Sequence, residues 1–187
     1  SGCLAGKFGG AVDGDASSST CEDCQAGQFA AGGNKSDCTS CPEGYYTKQL
    51  WHSQLQSFYN TTQLNFECSP CSPGKWSNVK SAMSYTTCTN CPVGYYSNRE
   101  GANGHTIPCI KCNPGYYNKM EGASKEKDCR ACETGQYQSE KAKTFCIKCE
   151  AGEYQPTPAS TNSCPTCPTG YYHDKVGQSF CKTCPSG

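Results

Sequence analysis

Nineteen cysteines in 187 residues constrain this chain more than any other feature, and their order matters more than their number. Nine C-x-x-C pairs occur, at Cys21/Cys24, Cys38/Cys41, Cys68/Cys71, Cys88/Cys91, Cys109/Cys112, Cys129/Cys132, Cys146/Cys149, Cys164/Cys167 and Cys181/Cys184. Their starts are 17, 30, 20, 21, 20, 17, 18 and 17 residues apart. The second cysteine of each pair, here called the motif cysteine, opens C-x-x-G-x-aromatic, as in CQAGQF from Cys24, CPEGYY from Cys41 and CETGQY from Cys132. Cys3 opens the same motif as CLAGKF, and Cys184 opens it again as CPSG. Self-similarity at a fixed period is the signature of a tandem array. The modules read 1–20 (partial), 21–37, 38–67 with an insert at 47–67, 68–87, 88–108, 109–128, 129–145, 146–163, 164–180 and 181–187 (truncated).

Composition says what holds such modules together. Leu, Ile, Val and Phe number 17 of 187, too few to bury the apolar surface that normally offsets chain entropy. Net charge is zero, with 16 basic and 16 acidic side chains, so the chain lacks the self-repulsion of a disordered one. Cross-links must supply the difference. In a chain-entropy account, one disulfide closing a loop of about 15 residues contributes about 3 kcal/mol. Disulfides at this density persist only in an oxidising compartment, so the expected location is extracellular or at the cell surface. No basic patch points to nucleic acid, and no apolar run is long enough to cross a membrane.

The spacing admits more than one pairing. Closing each C-x-x-C on itself gives a very small loop typical of redox sites. A serial ladder joins each motif cysteine to the first cysteine of the next pair: Cys3–Cys21, Cys24–Cys38, Cys41–Cys68, Cys71–Cys88, Cys91–Cys109, Cys112–Cys129, Cys132–Cys146, Cys149–Cys164 and Cys167–Cys181. It leaves Cys184 for a following repeat, just as the pattern expects a cysteine immediately before Ser1. An interleaved alternative joins Cys21 to Cys38 and Cys24 to Cys41. The serial ladder is preferred, because each bond then pins one hairpin.

Within the motif, the Pro and Gly steps favour a tight turn with glycine at positive φ. The residues after it suit a short strand with one ring packed and one ring out. The ring expected to pack over a disulfide is Phe8, Phe29, Tyr46, Trp76, Tyr96, Tyr117, Tyr137, Tyr154 or Tyr172, one in each module. The fold class is therefore a small disulfide-rich repeat: an elongated array of short β-hairpin modules with little helix and no large hydrophobic core. Each module adds about 15 Å if its strand leg is about five residues long.

The stretch C-x-x-C-P-x-G-Y-Y followed by C-x-x-C, clearest at Cys38–Tyr46, Cys88–Tyr96 and Cys164–Tyr172, resembles the cysteine-rich modules of the ephrin-receptor-like family. It resembles more distantly the first submodule of tumour-necrosis-factor-receptor repeats. The resemblance implies an elongated ectodomain of a receptor or surface protein, and it says little about a ligand.

Chemistry finds few footholds. A C-x-x-C pair repeated after 15 to 20 residues is also zinc-ligand spacing, yet zinc does not require a glycine and an aromatic after every motif cysteine. His52, His105 and His173 are not in ligand spacing. Redox chemistry uses one C-x-x-C with a depressed pKa rather than nine equivalent copies. His173-Asp174 lacks an oriented nucleophile, and Asp13-Gly-Asp15 offers too few carboxylates for calcium. No cofactor and no catalytic residue are expected.

Two features break the regularity. About ten extra residues within Thr47–Glu67 bring Leu50, Trp51, Leu55, Phe58 and Tyr59 into one loop. They read either as a loop packed on adjacent modules or as a lateral contact for another chain. Sequons at Asn34-Lys35-Ser36 and Asn60-Thr61-Thr62 are candidate N-glycosylation sites. Ser17–Thr20 and Thr157–Thr161 are candidate O-glycan segments, and Gly9–Ser19 reads as a flexible loop. The expected function is a structural rod or spacer in a surface or fibre-forming protein, with other protein chains, copies of itself and glycans as partners. The alternative is a receptor or adhesin ectodomain that binds a protein ligand.

Overall fold

The computed structural model describes residues 3, 7–9, 21–30, 37–50, 65–104 and 108–185, and for 49, 50, 65 and 66 the backbone alone. The chain forms two compact units, one of residues 1–89 with 100–108, the other of residues 90–99 with 109–187.

Each motif begins as a tight turn. The residue after the motif cysteine offers its carbonyl to the N–H three residues on, as in Pro42 to Tyr45 at 3.2 Å, Asn113 to Tyr116 at 3.1 Å and Pro168 to Tyr171 at 2.9 Å. Glycine sits at the third turn position with φ of 83° at Gly44, 81° at Gly115 and 86° at Gly170. These are the features of a type II turn, in which a side chain at that position is strained.

The turn launches a strand, and the return strand is the x-x segment inside the next C-x-x-C. In the first unit Lys7–Phe8 pairs antiparallel with Glu22–Asp23, Gln28–Phe29 with Thr39–Ser40, and Tyr45–Leu50 with Asn65–Pro70. In the second, Tyr95–Tyr96 pairs with Ile110–Lys111, Tyr116–Tyr117 with Arg130–Ala131, Gln136–Tyr137 with Ile147–Lys148, and Tyr171–Tyr172 with Lys182–Thr183. A backbone bond from the next motif cysteine to the turn glycine closes every one of these hairpins from Gln28–Phe29 onward, for example Cys132 N–H to Gly115 O at 2.8 Å. The only helical segments among the described residues are 3-10 turns at Tyr85–Thr87 and Glu126–Asp128.

Of the pairings the spacing allowed, the sulfur atoms take the serial one: Cys3–Cys21, Cys24–Cys38, Cys41–Cys68 and Cys71–Cys88 in the first unit. Cys91–Cys109, Cys112–Cys129, Cys132–Cys146, Cys149–Cys164 and Cys167–Cys181 follow in the second. Cys184 is free and exposed. Half-cystines make up most of the buried apolar residues, with small alanines beside them. The fold is thus a tandem disulfide-rich repeat of short hairpins with no large core.

The expectation of one packed ring per module needs correction. Tyr96 alone among those rings is buried, against Cys112, Ala123 and Cys129. Phe8, Phe29, Tyr46, Trp76, Tyr117, Tyr137 and Tyr154 are half-buried, and Tyr172 is exposed. The interior position is the next residue along. Thr47, Ser77, Ser97, Asn118, Gln138, Gln155 and His173, each immediately after the ring, are buried. A two-residue strand is too short to impose its alternation, and contacts with the next module decide which side chain goes inside.

Candidate functional site

The structural element that recurs is the seam between successive modules. It has a polar half and a glycine half.

The polar half is built on the buried residue six positions beyond the motif cysteine. Its backbone N–H donates to a carbonyl in the following module: Thr47 to Ala82 at 2.8 Å in the first unit, and Ser97 to Ala123, Asn118 to Lys143, Gln138 to Ser160 and Gln155 to Gln178, each at 3.0 Å, in the second. Its carbonyl accepts from the preceding module's turn glycine, as Asn118 O does from Gly94 at 2.9 Å and Gln155 O from Gly135 at 2.7 Å. Its side chain then accepts the N–H two residues on. Asn118 Oδ1 takes Met120 N–H at 2.8 Å, Gln138 Oε1 takes Glu140 N–H at 3.1 Å, and His173 Nδ1 takes Lys175 N–H at 3.2 Å. Asn118 Nδ2 also donates to Tyr95 O at 2.9 Å and Met120 O at 3.1 Å. A polar side chain is buried here because backbone groups in the connecting loop need partners, and an apolar one would leave them unpaired.

The glycine half uses the residue ten positions beyond the motif cysteine. Ser81, Gly101, Gly122, Ala142, Ala159 and Gly177 all have positive φ, between 53° and 71°. Each donates its N–H to the preceding motif cysteine: Ser81 to Cys41 and Gly101 to Cys71 at 2.9 Å, Gly122 to Cys91 at 2.8 Å, Ala142 to Cys112 at 3.0 Å, Ala159 to Cys132 at 2.8 Å and Gly177 to Cys149 at 2.7 Å. The carbonyl of the same residue lies on a turn glycine two modules back. A Cβ on Gly27 would overlap Ser81 O, and one on Gly44 would overlap Gly101 O. Ala142 O covers Gly94 in the same way, Ala159 O covers Gly115 and Gly177 O covers Gly135. Around Gly152 and Gly170 there is open space. A repeat protein normally couples nearest neighbours; here a loop bonds the module before it and packs on the one before that.

Side-chain chemistry along the seams is sparse. Burial, and after it the Glu126 carboxylate, pushes the Tyr96 phenol above its ordinary pKa. His173 is buried with its ring edge-on to Phe180, centroids 6.4 Å apart, and Asp174 Oδ1 lies 3.7 Å from Nδ1. Among the described residues, no cluster of His, Cys, Asp or Glu could hold a metal ion, and no helix is long and apolar enough to cross a membrane.

Several sequence-derived candidates lie outside the described residues: the sequon residues Asn34 and Asn60, and Trp51, Leu55, Phe58 and Tyr59 of the insert. The backbone of Leu50 ends the six-residue strand Tyr45–Leu50, opposite Asn65. The seam residues escaped the sequence reading. Their trace is a polar residue after the aromatic in the seven motifs from Cys41 to Cys167, and a small one ten positions beyond the motif cysteine in the six from Cys71 to Cys167. Thr, Ser, Asn, Gln and His at the first position share only a hydrogen-bonding role, so no residue identity repeats.

No curated protein is matched. The family described as tyrosine-protein kinase ephrin type A/B receptor-like matches over residues 13–53, 80–129, 123–163 and 158–187. Those segments cover well over half of the chain, so the chain belongs to the ephrin-receptor-like family of cysteine-rich repeats.

Proposed function

We propose that the chain is a spacer within an extracellular or cell-surface protein, one that holds its neighbours at a set distance and carries no catalytic centre. The observation that carries this reading is the seam. The same backbone bonds recur from module to module, and the side chains they engage are consumed in holding the array. Staples closing loops with sequence separations of 14 to 27 residues fit a segment that must keep its form outside the cell. In this reading Asn34 and Asn60 carry glycans, Cys184 bonds a following repeat, and Leu50, Trp51, Leu55, Phe58 and Tyr59 touch another protein chain, a copy of this one included. Electron microscopy of the secreted protein is the test. Extended particles that join into periodic filaments are expected. Compact particles would overturn the spacer reading, and isolated monodisperse rods would replace it with the receptor or adhesin reading.

A further inference from the structure

Two modules of this chain align residue for residue. Cys71–Cys88 and Cys112–Cys129 have the same sequence separation of 17, and each ends in a 3-10 turn. In both, a buried alanine (Ala82 or Ala123) accepts the seam bond from the preceding module. That preceding module presents a tyrosine at the end of its motif, Tyr46 in one case and Tyr96 in the other.

One of the positions at which their side chains differ is the first residue of the 3-10 turn. In the first unit it is Tyr85, whose ring stands edge-on to Tyr46 with centroids 6.5 Å apart and planes at 68°. In the second unit it is Glu126. There the space beside Tyr96 is a half-open groove of about 410 Å³, floored by the Cys112–Cys129 disulfide and lined by Tyr96, Tyr116, Lys111, Glu126 and Lys127. Tyr96 is 9 % exposed and Tyr116 is 38 % exposed, so one ring forms a wall and the other a lip. Two ammonium groups against one carboxylate leave the lining with a net positive charge.

We propose that this groove is a docking site for a partner protein, and that its occupant is an aromatic side chain flanked by carboxylates. Tyr85 is the chain's own indication of what fits. A ring in the equivalent place packs edge-on against the equivalent tyrosine, the preferred geometry for aromatic pairs. Lys111 and Lys127 supply the complement for acidic neighbours and disfavour basic ones. The site goes beyond the spacer reading, since a spacer needs no groove.

The blocked tripeptide acetyl-Glu-Tyr-Glu-amide is the probe, titrated into the whole protein while the ring resonances of Tyr96 and Tyr116 are followed by NMR. Saturable shifts at both rings are expected, with binding at least tenfold weaker for acetyl-Lys-Tyr-Lys-amide. Glu126→Tyr sets a ring beside Tyr96, as Tyr85 stands beside Tyr46 in the other unit, and should weaken binding at least tenfold. Lys127→Glu leaves the groove open but reverses a charge, and should weaken it comparably; because it is exposed, it also serves if Glu126→Tyr perturbs the fold. Shifts that are unchanged in both variants, or equal for the two peptides, overturn the proposal. Shifts that depend on protein concentration without peptide overturn it too, because the ring would then come from a second copy.

Discussion

Gly135 and Gly170 occupy the same place in the same motif, in the same unit, with φ of 79° and 86°. Gly135 is pressed against the backbone of Gly177 and Gln178, whereas nothing lies within 4 Å of where a Gly170 side chain would begin. The comparison separates two demands that one conserved-looking letter conceals. The turn requires glycine for its backbone angle, a local matter. The seam requires it a second time, because a carbonyl from two modules ahead occupies the space a methyl group would take.

The largest expected effect tests that separation directly. Gly170→Ala should cost about 1 kcal/mol, the usual strain of a non-glycine residue in left-handed backbone. Gly135→Ala should cost the same plus about 1–3 kcal/mol, because backbone must shift rather than a flexible side chain. An array of modules does not unfold as a single step, so the measurement is local amide exchange. Protection of the Gly177 N–H, which bonds Cys149 O at 2.7 Å, should fall in Gly135→Ala and hold in Gly170→Ala. Equal losses in the two variants would leave the second demand without support.

Asn118→Ala comes next. It removes the acceptor of Met120 N–H and the donor to Tyr95 O and Met120 O inside a buried site. Leaving such groups unpaired costs about 1–3 kcal/mol, read as faster exchange at Met120, whose N–H bonds the Asn118 side chain, while Gly94 keeps its acceptor in the Asn118 backbone carbonyl. Asn118→Asp keeps the acceptor and loses the donor, so Met120 should stay protected in it. The smallest effect runs the other way. Ala142 and Ala159 hold positive φ without being glycine, at 60° and 53°. Ala142→Gly relieves that strain but frees the unfolded chain, so a net gain of about 0.5 kcal/mol is expected by denaturant-dependent exchange. A loss would show that the alanine methyl group contributes more by packing than its backbone costs.

How far the sequence could be read follows from the same contrast. The hairpin fold and the scarcity of helix were legible, because C-x-x-G-x-aromatic encodes a turn and a strand within six residues and the cysteine count replaces a core. The family resemblance was legible on the same letters. The interior was not. Alternation along a strand pointed to Tyr117 and Tyr137, but the buried residues are Asn118 and Gln138. Burial there is set by carbonyls more than twenty residues further on, at Lys143 and Ser160, which no local pattern reveals. The groove beside Tyr96 was equally hidden, because Glu126 gains meaning only when set against Tyr85 in another module.

The sequence by itself determined the local form of this protein: that its motifs turn into short hairpins, and that sulfur rather than hydrocarbon holds them. Those properties depend on backbone angles and on disulfide loops with separations of 14 to 27 residues, whose ends short motifs specify. Only the tertiary structure decided how the units lock, with a polar side chain bridging to the next module and a left-handed loop reaching back two. Those contacts join residues tens of positions apart through backbone atoms, and a backbone carbonyl leaves no letter in the sequence.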